Sequence, residues 1–249
     1  MPRRYSRNIK QDLNFSELDI IIPAAGLGKR MKSYGTKSLI KVYKEKTILD
    51  LQLEKINKIF PKANIILITG FKSDELMENS PDNIVKIENE SYHSTNVARS
   101  IGIGLRASKN NVLVIYGDLV FNNQCLECIR FNHSGIVASK NLMKKNEVGC
   151  TVNNKLAVEN MMYDLEVKWG QISFFKGYEL KLLKKICWNP NNYNLFGFEV
   201  INNIINYGGS MNVFNDKDAK VIDIDSYKDI ELVKGIIWEY ILLLQIIQK

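Results

Sequence analysis

The chain has 249 residues, 45% of them hydrophobic and 24% charged, which excludes wholesale disorder and leaves ample material for a sizeable core. A formal net charge of +7 favours anionic partners such as nucleotides, but the lysines are scattered and form no run of the kind that binds nucleic acid. Four cysteines without an apolar leader lead us to expect a reducing, cytoplasmic setting.

Residues 1–16 are basic and read as an arm. Residues 17–249 are expected to form a single domain, because no repeat or low-complexity linker divides them. Asp19 to Ala24 reads as a buried strand that passes at Pro23 into a small-residue turn, Ala24-Ala25-Gly26-Leu27-Gly28, followed by Lys29, Arg30 and Lys37. Small residues let backbone N–H groups approach an anion, and the cations neutralise it. A strand feeding a phosphate site is therefore expected, the plain alternative being a turn with solvated basic residues. The dinucleotide fingerprint is not met, because Met31 occupies its third small position. Nor is the P-loop, because Arg30 stands where a hydroxyl is needed after Gly28-Lys29.

Helical patterns at Thr47 to Ile59, Lys72 to Met77 and Thr95 to Ala107 then alternate with strand-like runs at Ala63 to Thr69, Ile84 to Ile87 and Asn111 to Tyr116. Such alternation predicts an α/β fold with a largely parallel sheet covered on both faces. Ligands in these sheets sit beyond the carboxyl ends of the strands, and both Gly26 and Gly117-Asp118 follow strands directly. A carboxylate emerging there, Asp118, is poorly explained by packing, since an unpaired buried charge costs several kcal/mol; a simple Gly-Asp turn is the alternative. Cys125, Cys128 and His133 lack a fourth zinc ligand nearby, so the two cysteines read as small buried residues on one helical face.

From Gly135 to Phe175 the rhythm becomes successive strands, an antiparallel excursion with turns expected at Asn153-Asn154 and Trp169-Gly170. Helices return at Tyr178 to Ile186 and Leu195 to Asn206, and Ala219 to Ile224 reads as a last strand. Alternation puts Asp223 and Asp225 on one side of it, and two like charges that close want a cation between them. Together with Asp118 they suit magnesium, which takes a few carboxylates plus substrate phosphates. Ser226 and Asp229 form a capping box opening a terminal helix. Its apolar stretch is interrupted by Glu239 and Gln245 and is too short to span a bilayer. Packing on the domain, a homodimer contact and a membrane surface are the accounts of it, in that order.

The run Ala24-Ala25-Gly26-Leu27-Gly28-Lys29-Arg30-Met31, followed by Thr36-Lys37-Ser38-Leu39, resembles the A-A-G-x-G-x-R-M and P-K-x-L motifs of nucleotidyltransferases with a glycosyltransferase-A-like fold. Thr36 replaces the usual proline. Asn89, Tyr92, Asn96 and Ser100 are similar to the N-x-x-[YF]-x-x-x-N-x-x-S stretch of the phosphocholine and phosphonate cytidylyltransferase subgroup. Asp223 to Asp229 is similar to that subgroup's W-x-E-I-D-[ST]-x-x-D ending, with aspartate for the usual glutamate and no tryptophan.

The resemblance implies a Rossmann-like three-layer fold with a mostly parallel mixed sheet. It also implies Mg2+-dependent transfer of an NMP from an NTP, CTP favoured, to a phosphorylated or phosphonate small-molecule acceptor, with pyrophosphate leaving. On this reading Arg30 and Lys37 are catalytic, and Asp118, Asp223 and Asp225 hold the metal. Ala24, Ala25, Gly26, Leu27, Gly28, Lys29, Asn96, Ser100 and Gly117 bind nucleotide. Tyr92, Trp169, Glu199 and Asn202 bind the acceptor, although Asn96 equally starts a helix and Glu199 and Asn202 equally form a polar helix face. Three rivals stand beside it: a sugar-1-phosphate uridylyl- or thymidylyltransferase; a non-catalytic nucleotide-binding homologue, whose expected loss of Arg30, Lys37 or Asp118 is not seen; and a glycosyltransferase of related fold, whose usual D-x-D is Gly117-Asp118-Leu119 here.

Overall fold

The structure is a computed structural model that describes residues 17–26, 35–140, 142 and 147–233. The basic arm, Leu27, Gly28, Lys29 and Arg30 of the turn, and the terminal helix beyond Val233 lie outside the described residues. In chain order the first half forms β1 (Leu18–Pro23), β2 (Lys41–Tyr43), β3 (Lys46–Thr47), α1 (Ile48–Ile59), β4 (Asn64–Thr69), α2 (Ser73–Glu78), β5 (Val85–Glu88), α3 (Val97–Ala107) and β6 (Asn111–Ile115). There follow β7 (Leu119–Phe121), α4 (Gln124–Glu127), β8 (Gly135–Ser139), β9 (Val148–Val152), β10 (Val158–Tyr163), β11 (Val167–Phe175), α5 (Gly177–Cys187), α6 (Gly197–Asn206), β12 (Asn212–Phe214) and β13 (Val221–Asp223). Among the described residues no helix is long and apolar enough to cross a membrane.

The α/β expectation holds. A nine-stranded sheet runs in the order β10-β9-β11-β6-β1-β4-β5, with β8 joined to β11 and β12 to β8. Its β6-β1-β4-β5 stretch is parallel throughout. Antiparallel β11 then ties the parallel part to the excursion of β8, β9 and β10. On β1, Ile20 and Ile22 enter one core and Ile21 the other; Ile65 and Leu67 against Ile66 and Ile68 on β4 repeat the pattern. Burial on both faces is why these strands read as unbroken apolar runs. Leu49, Leu53 and Ile56 of α1 cover one face, and Ile101 and Leu105 of α3 with Leu183 of α5 and Ile204 of α6 cover the other.

Two expectations need correction. Trp169-Gly170 is no turn; it lies inside β11, whose pairing with β8 slips between Trp169 and Ser173, and Gln171 there takes the left-handed region at φ 54°. The slip is a bulge, which sequence composition mimics as a turn. The last strand is shorter than expected and pairs with β7 in a separate two-stranded sheet. The turn at Asn153 is as expected, its Oδ1 accepting from Lys155 N and Ala157 N. All four cysteines are buried free thiols, which bears out the reading of Cys125 and Cys128 as packing residues.

The parallel strand order places β6 on the opposite side of β1 from β4, so the chain reverses direction across the sheet between β1 and β6. Loops diverge at such a switch point and leave a crevice beyond the carboxyl ends. Here the loops after β1 and β6 are held close. Gly117 N donates to Pro23 O at 3.1 Å and Ser38 Oγ donates to Gly117 O at 2.7 Å. A Cβ on Gly117 would lie 2.8 Å from Ala24 Cβ and 2.9 Å from Ser38 Oγ, whereas one on Gly26 meets nothing within 4 Å among the described residues.

At the other end of β1, Asp19 is buried, yet its carboxylate accepts from Asn64 Nδ2, Lys109 N, Asn110 N and Asn110 Nδ2 at 2.8–3.0 Å. Burial opposes its ionisation, but the hydrogen bonds from Asn64, Asn110 and Lys109 outweigh it and hold the carboxyl below its usual range.

Asp19→Ala leaves those donors without an acceptor and is expected to cost about 2–4 kcal/mol in urea unfolding at neutral pH. Because the folded-state pKa is lowered, this contribution is present above the unfolded carboxylate pKa and is lost as pH falls through the folded one, so the gap between variant and wild type should close in acid. Gly117→Ala is expected to cost about 1–3 kcal/mol by overpacking, while Gly26→Ala should stay within about 0.5 kcal/mol of wild type in the same assay.

Candidate active site

Three segments distant in sequence converge at the switch point. Lys37 opens a single 3-10 turn, Lys37–Leu39, that lies against the loop after β6 through the Ser38 bond to Gly117. Asp118 follows Gly117 in that loop, and Asp225 follows β13. Lys37 Nζ donates to Asp118 Oδ2 at 3.0 Å and to Asp225 Oδ1 at 2.7 Å, with the lysine side chain only 15% exposed. Burial disfavours its charged form, but the carboxylates of Asp118, Asp223 and Asp225 more than offset this and keep the ammonium protonated beyond the ordinary lysine range.

The supports of this bridge are also polar. Ile224 N donates to Asp118 O at 3.0 Å, stitching the two acidic segments together. Asp229 Oδ2 accepts from Asp225 N, Ser226 N and Ser226 Oγ at 2.7–3.1 Å, so the expected Ser226–Asp229 pairing fixes the backbone that carries Asp225. From beneath, the buried Gln52 of α1 donates Nε2 to both Tyr116 O and Leu119 O, at 2.9 and 2.8 Å. Gln52 carries no motif and was invisible to pattern reading; a lone amide among apolar helix positions was its single signal.

Two cavities open on either side. One, of about 180 Å3, is lined by Ala24, Ala25, Gly26, Lys37, Gly117 and Asp118, and by the β5–α3 loop with Asn89, Tyr92, Asn96 and Ser100. In that loop Asn89 Nδ2 donates to Ser100 Oγ at 3.1 Å and Asn89 Oδ1 accepts from Ser91 N, while Asn96 caps α3 by accepting from Val97 N at 2.8 Å. The second, of about 570 Å3, is walled by Trp169, Tyr163, Phe196 and Phe198 and floored by Asp223 and Asp225. Asn96, Val97 and Tyr116 line both. Trp169 packs edge-on against Tyr116 with ring centroids 5.7 Å apart.

The structure thus brings together Ala24, Ala25, Gly26, Lys37, Tyr92, Asn96, Ser100, Gly117, Asp118, Trp169, Asp223 and Asp225. Glu199 and Asn202 are corrections, since neither lines either of these two cavities. Glu199 Oε2 accepts from Phe196 N at 2.7 Å at the start of α6, and Asn202 bonds both Met161 N and Met161 O at 2.8 Å, tying α6 to β10. Their carboxylate and amide serve the backbone.

Asp223 also departs from the expected trio. Its partner is Gln171, whose Nε2 donates to Oδ2 at 2.9 Å, while Oδ1 is buried without a hydrogen bond. Burial first, then the charges of Asp118 and Asp225, push its carboxyl up to about 8 against the pull of Lys37 and Gln171. Among the described residues no three His, Cys, Asp or Glu side chains form a metal cage. Asp118 and Asp225, however, already converge on one cation. Two hard carboxylates beside an open cavity fit magnesium, which takes one or two carboxylates and completes its shell with phosphate and water.

Residues 20–139 match the profile of the MobA-like NTP transferase domain. The bifunctional protein GlmU of Thermoanaerobacter pseudethanolicus is 32% identical over 114 residues, 45% of this chain, and the chain spans 24% of that protein's length. The fold is similar to that of the CTP:phosphocholine cytidylyltransferase from Streptococcus pneumoniae, with a TM-score of 0.74 and 18% identity over 89% of this chain and 99% of that one. It is similar also to the inositol-1-phosphate CTP transferase from T. maritima, with a TM-score of 0.70 and 15% identity over 87% and 94%. The strand order and these likenesses show that the chain has the fold of these nucleotidyltransferases, and residues 20–139 of it match the MobA-like NTP transferase domain.

Proposed function

We propose that this protein transfers a nucleotidyl group, CMP in preference to others, from an NTP to a phosphorylated or phosphonate small-molecule acceptor. The observation that carries the reading is the meeting of two cavities across the Lys37–Asp118–Asp225 bridge, one lined by the small-residue turn and the other by aromatic rings. A reaction between two bound molecules requires such adjacency, because holding them side by side is itself a large part of catalysis.

The smaller cavity suits the nucleotide. The backbone at Ala24 to Gly26 faces it without side-chain bulk, and the Asn89–Ser100 pair orders the loop on its far side. The acceptor's phosphate or phosphonate oxygen, entering from the larger cavity, attacks the α-phosphorus. The bond from that phosphorus to the bridging oxygen of the β-phosphate breaks, and pyrophosphate leaves with the electron pair. Lys37 stands between the cavities and stabilises charge growing at the α-phosphate, while Arg30 contacts the triphosphate. Asp118 and Asp225 would hold magnesium, which when bound supplies further neutralisation of phosphate charge. Asn96 borders the base and ribose, and Tyr92, expected on the acceptor side, lies in the lining of the same smaller cavity and joins it there.

Cytidine preference rests on the Asn89, Tyr92, Asn96 and Ser100 spacing and on the Asp-Ile-Asp-Ser ending, and the two similar CTP-using enzymes support it. A pocket that accepts from the cytosine amine leaves its polar groups unpaired against uracil, a difference of about 1–3 kcal/mol for each unsatisfied group.

Pyrophosphate release measured across the four NTPs and a panel of phosphorylated and phosphonate acceptors is expected to give the highest kcat/KM with CTP. In that assay Asp118→Asn should be inactive though folded, and Lys37→Ala should lower kcat and kcat/KM together by on the order of a hundredfold or more. Preference for UTP or dTTP with a sugar phosphate would move the protein to the nucleotide-sugar branch. A Lys37→Ala enzyme changed in KM alone would show that the lysine binds the ground state.

A further inference from the structure

We propose that the open edge of the large sheet, β5 with the stripe of α3 beside it, is the contact through which two copies of this chain pair about a two-fold axis, their β5 strands running antiparallel. The inference stands apart from the reaction proposed above.

β5 ends the sheet order, and among the described residues its one strand neighbour is β4. Unlike β1, β4 and β6 it contains no buried residue, and Val85 is 47% exposed. Asn89 N donates to Thr69 O of β4 at 2.8 Å. In a parallel ladder alternate residues turn both backbone groups to the same side, so Ile87 and Val85 share that orientation, and Lys86 and Glu88 present N–H and C=O to the open edge. A bare row of this kind is a template for another strand, and proteins commonly guard it with an outward lysine, a proline or a bulge. β5 has none of these. Its ladder with β4 runs without a slip, it contains no proline, and Lys86 Nζ is turned back onto Met77 O and Ser80 O at 2.9 Å.

The edge is complementary to itself. Two β5 strands set antiparallel with Ile87 opposite Ile87 pair Lys86 of each with Glu88 of the other, so the residues with outward backbone groups form the hydrogen-bonded pairs and also match in charge. Val85 then lies diagonal to the second copy's Ile87, which covers the exposed valine with an apolar side chain. Beside the strand, a groove of about 460 Å3 is lined by Ile87 and Ile103 and by the charges of Glu88, Glu90, Arg99 and Arg106. Arg99, Ile103 and Arg106 recur at helical spacing and form one stripe of α3 along the edge. Among the described residues none of these four charges takes part in an ion pair. Arg99 stacks on the Tyr193 ring at 4.4 Å, and Arg106 is the exposed cation of the pair. Glu88 and Glu90 lie at the carboxyl end of β5, whereas Arg106 is in the last turn of α3, which runs back from the Asn96 end to Lys109 beside Asp19 at the start of β1. A two-fold axis that reverses the strand therefore carries the acidic end of one copy over the basic end of the other. A groove built for an acidic or a basic peptide would carry one sign; both signs, separated along the strand, suit a surface that meets itself.

Sedimentation equilibrium of the full chain at concentrations on the order of 1 to 200 µM is expected to show a reversible monomer and dimer, since a strand pairing of this size falls at the small end of stable interfaces. Single cysteines read the register. Ile87→Cys, whose Cα atoms would lie about 4.5 Å apart across the axis, should give a disulfide-linked dimer on mild oxidation. Met162→Cys, 50% exposed on the opposite edge strand β10, should not, and the four native cysteines are buried. Arg106→Glu should weaken the dimer by on the order of tenfold, and Glu90→Arg in the same chain should restore most of it, a rescue that a folding defect would not give. A chain that stays monomeric across that range would overturn the proposal. So would a dimer that is indifferent to Arg106→Glu and leaves Ile87→Cys unlinked, because its contact would then lie on another surface, the terminal helix being the first alternative.

Discussion

A lysine ammonium bound to two aspartates that lie 81 and 188 residues away in the chain is the constraint on which this architecture turns. The carboxylates of Asp118 and Asp225 meet beside the carboxyl of Asp223 in a half-buried corner of the sheet edge, and like charges that close repel unless a cation stands among them. Lys37 supplies it. Removing one partner from such a group costs far more than the group's net contribution, because it leaves charge buried and unpaired. The segments carrying these residues are accordingly braced by hydrogen bonds that Gln52, Ser38 and Ile224 donate and by those that Asp229 accepts.

The parallel sheet explains why the three segments can meet at all. Because β4 and β6 flank β1, the loops after β1 and β6 leave the sheet side by side, and small residues at Ala24 and Gly117 let them pack in direct contact. Gly70 does the same for the loop after β4, where a Cβ would lie 2.8 Å from Ala25 Cβ and Tyr92 Cβ. Antiparallel β11 then brings Trp169 and Gln171 to the same edge. The two cavities thus come from different parts of the topology and abut at Tyr116. Residues 20–139, which match the MobA-like domain, line the smaller, whereas β11, the start of α6 with Phe196 before it, and β13 with the residues after it line most of the larger. The matched stretch ends before the residues that line most of the larger cavity.

Much of this was legible in the residues. Apolar runs bounded by small or turn residues located β1, β4 and β6, since a strand buried on both faces leaves little room for any other pattern. Asp118 was found because a charge at the end of such a run has no packing explanation, and Ser226 with Asp229 because cap spacing is a local signal. What escaped was set by tertiary contact. Glu199 and Asn202 look like ligand groups until their backbone partners at Phe196 and Met161 are seen. Asp19 and Gln52 are ordinary polar residues in sequence and become structural through distant neighbours. Trp169-Gly170 carries turn composition, yet what it marks is a bulge, and nothing in Gln171 itself announces a left-handed backbone.

The central claim, that one ammonium joins segments from three parts of the chain, is tested most directly by a double-mutant cycle on unfolding free energy with Lys37→Met and Asp225→Asn. The account predicts that the double variant is more stable than the sum of the single losses implies, with a coupling of about 1 kcal/mol or more. Strict additivity of the two losses would contradict it.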